Sequence, residues 1–208
     1  MKLCDLHTSR VLLLSCRKSS PTELVPLGLK RQRTYVVACN HKCRRGEVEI
    51  FDSLMQTEVS TTVRRQLATM LHTLRPRMTM TKVCVQQQTG GSDCGLFAIA
   101  FAVALVHGQD PATLTFNQGA MREHLRLCLL RQQMKPFPTT RKLKFKKNRV
   151  VGRDIESIYC LCRGIWVIGE DDMYQCSVCA QWYHESCMLS LSLANVFNHA
   201  WVCALCST

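Results

Sequence analysis

The sequence lacks any long apolar run. The longest, Leu96 to Val106, has 11 residues, short of the ~20 that cross a bilayer. Val11-Leu12-Leu13-Leu14 is the only apolar stretch near the start, a poor secretory signal. With 10 glycines, 6 prolines and no internal repeat, the composition fits neither a collagen-like nor a low-complexity chain. These shortages exclude membrane, secretory and fibrous classes. They leave a globular chain of 208 residues, a length suited to one or two domains. Acid is also scarce at first: residues 1–150 carry 9 Asp/Glu against 25 Lys/Arg, whereas residues 151–208 carry 6 against 2.

Cysteine is abundant. Fourteen in such a chain imply a reducing compartment, with metal binding as their leading use. Seven of them, with His184, fall in the last 49 residues. Charge and cysteine density therefore change together, and the chain reads as two modules.

In the first module, residues 1–33 show no clear period. Thr34 to Cys39, rich in β-branched and aromatic residues, and Glu47 to Phe51, alternating charged and apolar, read as a β-hairpin. Val59, Val63, Leu67, Met70, Leu71 and Leu74 recur at helical steps, with Arg64 and Arg65 facing outward. Thr81 to Val85 reads as a strand. A glycine-rich loop, Thr89-Gly90-Gly91-Ser92, leads to Asp93-Cys94-Gly95 and then to a helix apolar on every side. A further amphipathic helix spans roughly Asn117 to Leu130, with Met121, Leu125, Cys128 and Leu129 on one face. Pro136 and Pro138 open a linker, and residues 141–149 pack six positive charges into nine positions.

The second module carries a regular ligand frame. Cys160-x-Cys162 is followed after 13 residues by Cys176-x2-Cys179, four residues later by His184-x2-Cys187, and 15 residues later by Cys203-x2-Cys206. Eight ligands suffice for two closed tetrahedral zinc sites. A domain of about 50 residues buries too little apolar surface alone, so metal must supply much of its folding free energy. Four Cys, one His in fifth place and three Cys, with Trp201 two residues before Cys203 and the block Trp182-Tyr183-His184-Glu185-Ser186-Cys187, resemble the plant homeodomain (PHD) finger over residues 158–206. RING fingers, which usually place His fourth, are the runner-up. The PHD resemblance implies a cross-brace: Cys160, Cys162, His184 and Cys187 on one zinc; Cys176, Cys179, Cys203 and Cys206 on the other. It also implies recognition of a histone or other protein tail. Tyr159, Met173 and Trp182 fall at the family's cage positions for methyl-lysine, whose cation is drawn to ring faces. Glu170, Asp171 and Asp172 would pair with the basic tail, which would add as an extra strand. Ser177 stands where many such readers have Asp, which weakens recognition of a tail arginine.

Residues around Cys94 suggest a nucleophile. Cys94 sits at a loop-to-helix junction, where helix amides and dipole favour a thiolate. Gln88 can direct an N–H at a developing oxyanion, and Asp52 can orient an imidazole. Glu49-Ile50-Phe51-Asp52-Ser53-Leu54 and Gln86-Gln87-Gln88-Thr89-Gly90-Gly91-Ser92-Asp93-Cys94-Gly95-Leu96-Phe97 resemble the SUMO/sentrin-type cysteine proteases of ubiquitin-like modifiers, on a papain-like scaffold. Transposon-derived genes hold related chains, some with a PHD finger downstream. The resemblance implies Cys94 as nucleophile, Asp52 as imidazole partner and Gln88 as oxyanion residue. The family's His-Trp pair is here Thr34-Tyr35. Threonine is no general base near neutral pH, and losing that base forfeits about 10²–10⁴ in rate. His41, in the hairpin turn, would need a re-registered hairpin to replace it. His72 and His107 read as structural or solvated, and Cys39-x3-Cys43 with His41 as turn chemistry lacking a fourth ligand.

The expected architecture is α+β. It comprises an uncertain segment (1–33), a truncated, degenerate protease-like domain (34–135), a basic linker (136–156) and a two-zinc PHD finger (157–208). The expected function is zinc-dependent binding of a protein tail in the nucleus. An active cysteine peptidase acting on a ubiquitin-like modifier is the first alternative, and a RING-like ubiquitin ligase the second. The tract Arg141 to Arg149 would serve nuclear import or sequence-independent nucleic-acid contact.

Overall fold

The computed structural model describes residues 11–17, 33–40, 43–54, 58–71, 75–142, 148–189, 196–197, 200–203 and 205–206. The fold is mixed, with helices and sheets. Contacts divide the chain into two units, residues 1–63 with 79–154, and residues 64–78 with 155–208.

The chain begins with β1 (Val11–Arg17), β2 (Arg33–Cys39) and β3 (Glu47–Phe51), followed by α1 (Thr61–Leu71), β4 (Arg77–Val83) and α2 (Cys94–Val106). Then come β5 (Leu114–Phe116), α3 (Gln118–Leu130), β6 (Thr139–Lys142) and β7 (Val150–Ser157). A five-stranded sheet has the order β1-β2-β3-β4-β7. The expected hairpin is present: β2 and β3 pair antiparallel, with Val37 opposite Phe51. Strand β1 adds antiparallel to β2, in a stretch whose sequence shows no period. Strands β3 and β4 pair in parallel, Glu47 opposite Thr79. A parallel neighbour needs a crossover, and the chain between them carries α1. Ser60 starts that helix as its cap, its hydroxyl accepting the Val63 N–H.

Helix α2 is the hub of the first unit. Its sequence is apolar throughout, and residues on all sides are buried. Val37, Cys39 and Phe51 from one face of the sheet join Phe97, Phe101, Phe116, Met121 and Phe137 in a single core. Phe97, Phe101 and Phe116 form a triangle with ring centroids 5.8–6.3 Å apart. Helix α3 buries Met121 and Cys128 and packs Leu125 against this core. Leu129, expected on the same face, is 64% exposed.

Residues 136–156, expected as a linker, carry structure at both ends. Phe137 is buried, β6 pairs with β5, and β7 joins the sheet. Arg149, the last charge of the basic tract, bridges Glu49 and Asp110. His41, His72, Leu74 and residues 143–147 lie outside the described residues.

The second unit contains β8 (Met173–Gln175), β9 (Trp182–His184), α4 (Glu185–Leu189), β10 (Val196–Phe197) and β11 (Ala200–Trp201). Its core is built from Cys176, Tyr183 and Cys203, with Met188, Trp201 and Val202 packed on them. Tyr183 meets Trp201 edge-on at 5.1 Å. Residues 64–78 belong here: Ile158 donates its N–H to the Pro76 carbonyl, and Arg163 its guanidinium to the Arg75 carbonyl. All three tryptophans of the chain, Trp166, Trp182 and Trp201, lie in this unit.

Candidate metal centres and the aromatic surface beside them

Eight of the sequence-predicted ligands converge into two groups of four. Cys160, Cys162, His184 and Cys187 form one; Cys176, Cys179, Cys203 and Cys206 form the other. Within each, the ligand atoms lie within 4.8 Å of one another. The grouping is interleaved along the chain, first pair with third and second with fourth. The seven cysteines and one histidine come from turns, from β9 (His184) and from α4 (Cys187), and Cys176 and Cys203 are themselves part of the buried core of this unit.

The geometry fits a tetrahedral ion. Zinc–sulfur bonds of about 2.3 Å place neighbouring sulfurs about 3.8 Å apart, and the Cys179 and Cys203 sulfurs are 3.8 Å apart. That is far beyond a disulfide, and the cysteines of both groups are free thiols. In the first group His184 turns Nδ1 toward Cys162 Sγ at 3.3 Å, while Nε2 lies 2.9 Å from the Ile165 carbonyl. That carbonyl accepts a hydrogen bond from Nε2–H and leaves Nδ1 free to act as a metal ligand, the outer support that metal-bound histidines usually have. In the second group the Cys203 N–H donates to Cys176 Sγ at 3.3 Å.

Both groups are unbalanced as bare thiols. Burial pushes the Cys160 thiol up, but hydrogen bonds from the Cys162 and His184 backbones and the His184 ring outweigh it and hold it at about 7. Cys162 beside it is pushed up to about 12, by burial first and then by charge on Cys160. In the second group, amide hydrogen bonds overcome burial and hold Cys176 at about 6, while Cys206 is pushed up to about 12, chiefly by Cys203. In the first group the Cys160 thiolate is favoured while burial pushes Cys162 and Cys187 up; in the second, burial is outweighed by hydrogen bonds that favour the Cys176 and Cys203 thiolates at the expense of Cys206, an imbalance that a bound dication would relieve. The backbone adds to this. Cys160, Arg163 and Ala180 all adopt left-handed φ near +60°, at about 1–2 kcal/mol each for a residue with a side chain. All three lie at ligand-bearing turns, where metal bonds can hold them.

Beside the first group lies an aromatic cluster. Tyr159 and Trp182 were expected there, and Tyr159 pairs with Gly164 across the turn of the first ligand pair. The cluster also includes Trp166, which sequence reasoning missed. Trp166 stacks on Trp182 with centroids 6.0 Å apart and planes 13° from parallel, and meets Tyr159 edge-on at 6.4 Å. Trp166 and Trp182 remain 38% and 36% exposed, large for indoles in a packed core. Met173 stands opposite His184 in the β8–β9 ladder, two positions from the Trp182 pair. The missed signal was the spacing of Trp166, four residues after Cys162; it gains meaning only once that turn is seen to reverse the chain. Among the predicted tail-pairing acids, Asp171 accepts the Val167 N–H, and its carbonyl accepts the Trp166 indole N–H. Asp172 gives its carbonyl to the Glu185 N–H. The Ser177 hydroxyl bonds the Trp201 carbonyl.

The residues of the second predicted constellation lie in the first unit. Cys94 opens α2 as expected, but it is 4% exposed, whereas reactive thiols are partly accessible. Asp52 accepts the Leu54 N–H in a local turn. Gln88 receives the Ser53 hydroxyl on its carbonyl and donates one amide N–H to the Gly90 carbonyl. The intervening loop is tied to α3, with Gln118 bonding both backbone groups of Thr89 and, with Arg122, the Asp93 carboxylate. The Tyr35 ring lies 3.4 Å from where a Cβ on Gly95 would stand. Thr34 lies on β2, but its side chain is outside the described set. The described histidines sit elsewhere: His107 at the far end of α2, His124 on α3 against the Lys135 carbonyl, and His184 in the metal group.

No known protein family matches this sequence, and no curated protein or solved structure is similar to it.

Proposed function

We propose that this chain is a nuclear tail-binding protein whose C-terminal unit is a two-zinc PHD-type finger, and whose N-terminal unit is a degenerate SUMO-protease-like domain without peptidase activity. Cys160, Cys162, His184 and Cys187 would hold one zinc, and Cys176, Cys179, Cys203 and Cys206 the other. Bound zinc supplies folding free energy and keeps the thiolates charged. The observation that carries the reading is the cluster of two exposed indoles, Trp166 and Trp182, with half-buried Tyr159 edge-on to Trp166, on a unit with two groups of candidate metal ligands. Two indoles and a phenol offer ring faces to a methylated ammonium, which sheds water easily and is attracted by the ring quadrupoles. Glu170 and Asp172 add negative charge for the rest of a basic tail of histone type. Buried Cys94 and the committed groups around it favour the inactive form of the first unit.

The test uses the full-length protein. Metal analysis should return two equivalents of zinc, and binding should prefer a trimethyl-lysine peptide to its unmethylated twin. Trp182→Ala should lose that preference while keeping both ions. Fewer than two equivalents, or no methyl preference in the intact protein, overturns the proposal. Ubiquitin transfer from a charged conjugating enzyme would favour the RING reading instead.

A further inference from the structure

Arg65 lies on α1, in the portion of that helix belonging to the second unit. Its Nη1 donates to Glu170 at 2.8 Å and its Nη2 to Asp171 at 2.9 Å. These are two of the three acids, with Asp172, expected to pair with the basic tail, and a guanidinium of the chain itself already spans them. The position is next to the aromatic trio: the Trp166 indole N–H donates to the Asp171 carbonyl, and the same Asp171 carboxylate oxygen that receives Arg65 accepts the Val167 N–H. Asp171 is thus a shared post between the Trp166 wall and the Arg65 fork.

We infer that Arg65 is an internal pseudo-ligand, a latch that fills the guanidinium-binding part of the tail surface and must be displaced by an arginine of the incoming tail. This rests on the tail-binding reading above and adds its regulation. The contact is open to solvent, with Arg65 41% and Glu170 58% exposed. An exposed pair of this kind changes an equilibrium by a factor of about 1.5–5. Two such pairs reduce the apparent affinity for an arginine-bearing tail by roughly threefold to twenty-fivefold, because that tail binds only the unlatched fraction, whereas a tail without arginine binds beside the closed latch. The latch therefore tunes the site without closing it. Its effect is confined to tails with arginine beside the methyl-lysine: such a tail recovers the carboxylates it uncovers, and a tail without one has nothing to pair them with and leaves the latch closed.

The experiment measures binding of two short peptides to the full-length protein, each carrying one trimethyl-lysine. One flanks it with arginines and the other with glutamines. Arg65→Ala should bind the arginine peptide roughly threefold to twenty-fivefold more tightly than wild type and the glutamine peptide no more tightly. Arg65→Lys, which keeps the charge but not the fork, should fall between, and two retained zinc equivalents report that each variant is folded. A purely structural tie would lower stability without raising affinity. No gain in Arg65→Ala, or an equal gain for both peptides, overturns the latch alone. Failure of every protein to bind either peptide overturns the tail reading and the latch with it.

Discussion

Gly164 gives the sharpest test of the first metal group. A Cβ there would stand 2.9 Å from His184 Cε1 and 3.2 Å from Cys162 Sγ, against the 3.5–4.0 Å at which carbon atoms rest in contact. In Gly164→Ala the imidazole must retreat by roughly 0.5–1 Å. It cannot do so freely, since Nε2 is fixed to the Ile165 carbonyl at 2.9 Å and Nδ1 faces the cluster beside Cys162. Retreat therefore lengthens the outer hydrogen bond or draws Nδ1 away from the ion, and metal sites tolerate only about 0.2 Å of such error. Disturbing a ligand's outer support costs about 10–100-fold in metal affinity, and overpacking alone costs about 1–3 kcal/mol. Zinc competition against a chromophoric chelator, on the full-length protein, should resolve two affinities. The alanine variant should lose affinity about 10–100-fold at the Cys160/Cys162/His184/Cys187 group and keep it at the other. Two equivalents bound with unaltered affinities would refute the assignment of His184 Nδ1 as a ligand.

Three further outcomes follow from the side-chain placements. Trp166→Ala should weaken trimethyl-lysine peptide binding by about 2–30-fold and Met173→Ala by less, since cation–π contacts contribute about 0.5–2 kcal/mol; titration calorimetry with equal losses would remove Trp166 from the recognition surface. A vinyl-sulfone-tagged ubiquitin-like probe should label neither the intact protein nor Cys94→Ala, and labelling of the intact protein alone would restore the peptidase reading. Arg149→Gln should destabilise the first unit by about 1–3 kcal/mol, because it leaves partly buried Glu49 and Asp110 without their common partner. The same substitution should leave the salt slope of any DNA binding unchanged, because that guanidinium is already committed; a slope reduced by about one charge would show that Arg149 meets phosphate.

The ligand frame was legible because tetrahedral coordination forces pairs of cysteines into tight turns, and turns leave fixed spacings such as Cys176-x2-Cys179. Helix α2 was legible for a different reason, since Leu96 to Val106 has no polar face to expose. Strand β1 was not. A short apolar run without alternation is compatible with helix or strand, and only pairing with β2 decides it. Arg149 read as one more charge of a basic tract, because its partners Glu49 and Asp110 are remote in sequence. Arg65 was read correctly as outward-facing, but periodicity reports which way a side chain points and not what awaits it 105 residues on. Trp166 was hidden for the same reason, since its neighbours are set by the reversal of chain at Cys160 to Gly164 rather than by any period.

Confinement of every indole to the second unit has an optical consequence. Excitation at the red edge of the near-ultraviolet band reports on that unit alone, while the sheet and its helices stay dark. Two of the three chromophores, Trp166 and Trp182, are stacked and half open to water, so an arriving cation would be seen as quenching. The third, Trp201, leans on Tyr183 in the interior and would shift in colour only if the fold itself opened. Docking and unravelling would thus be distinguishable in one emission spectrum, without any label attached.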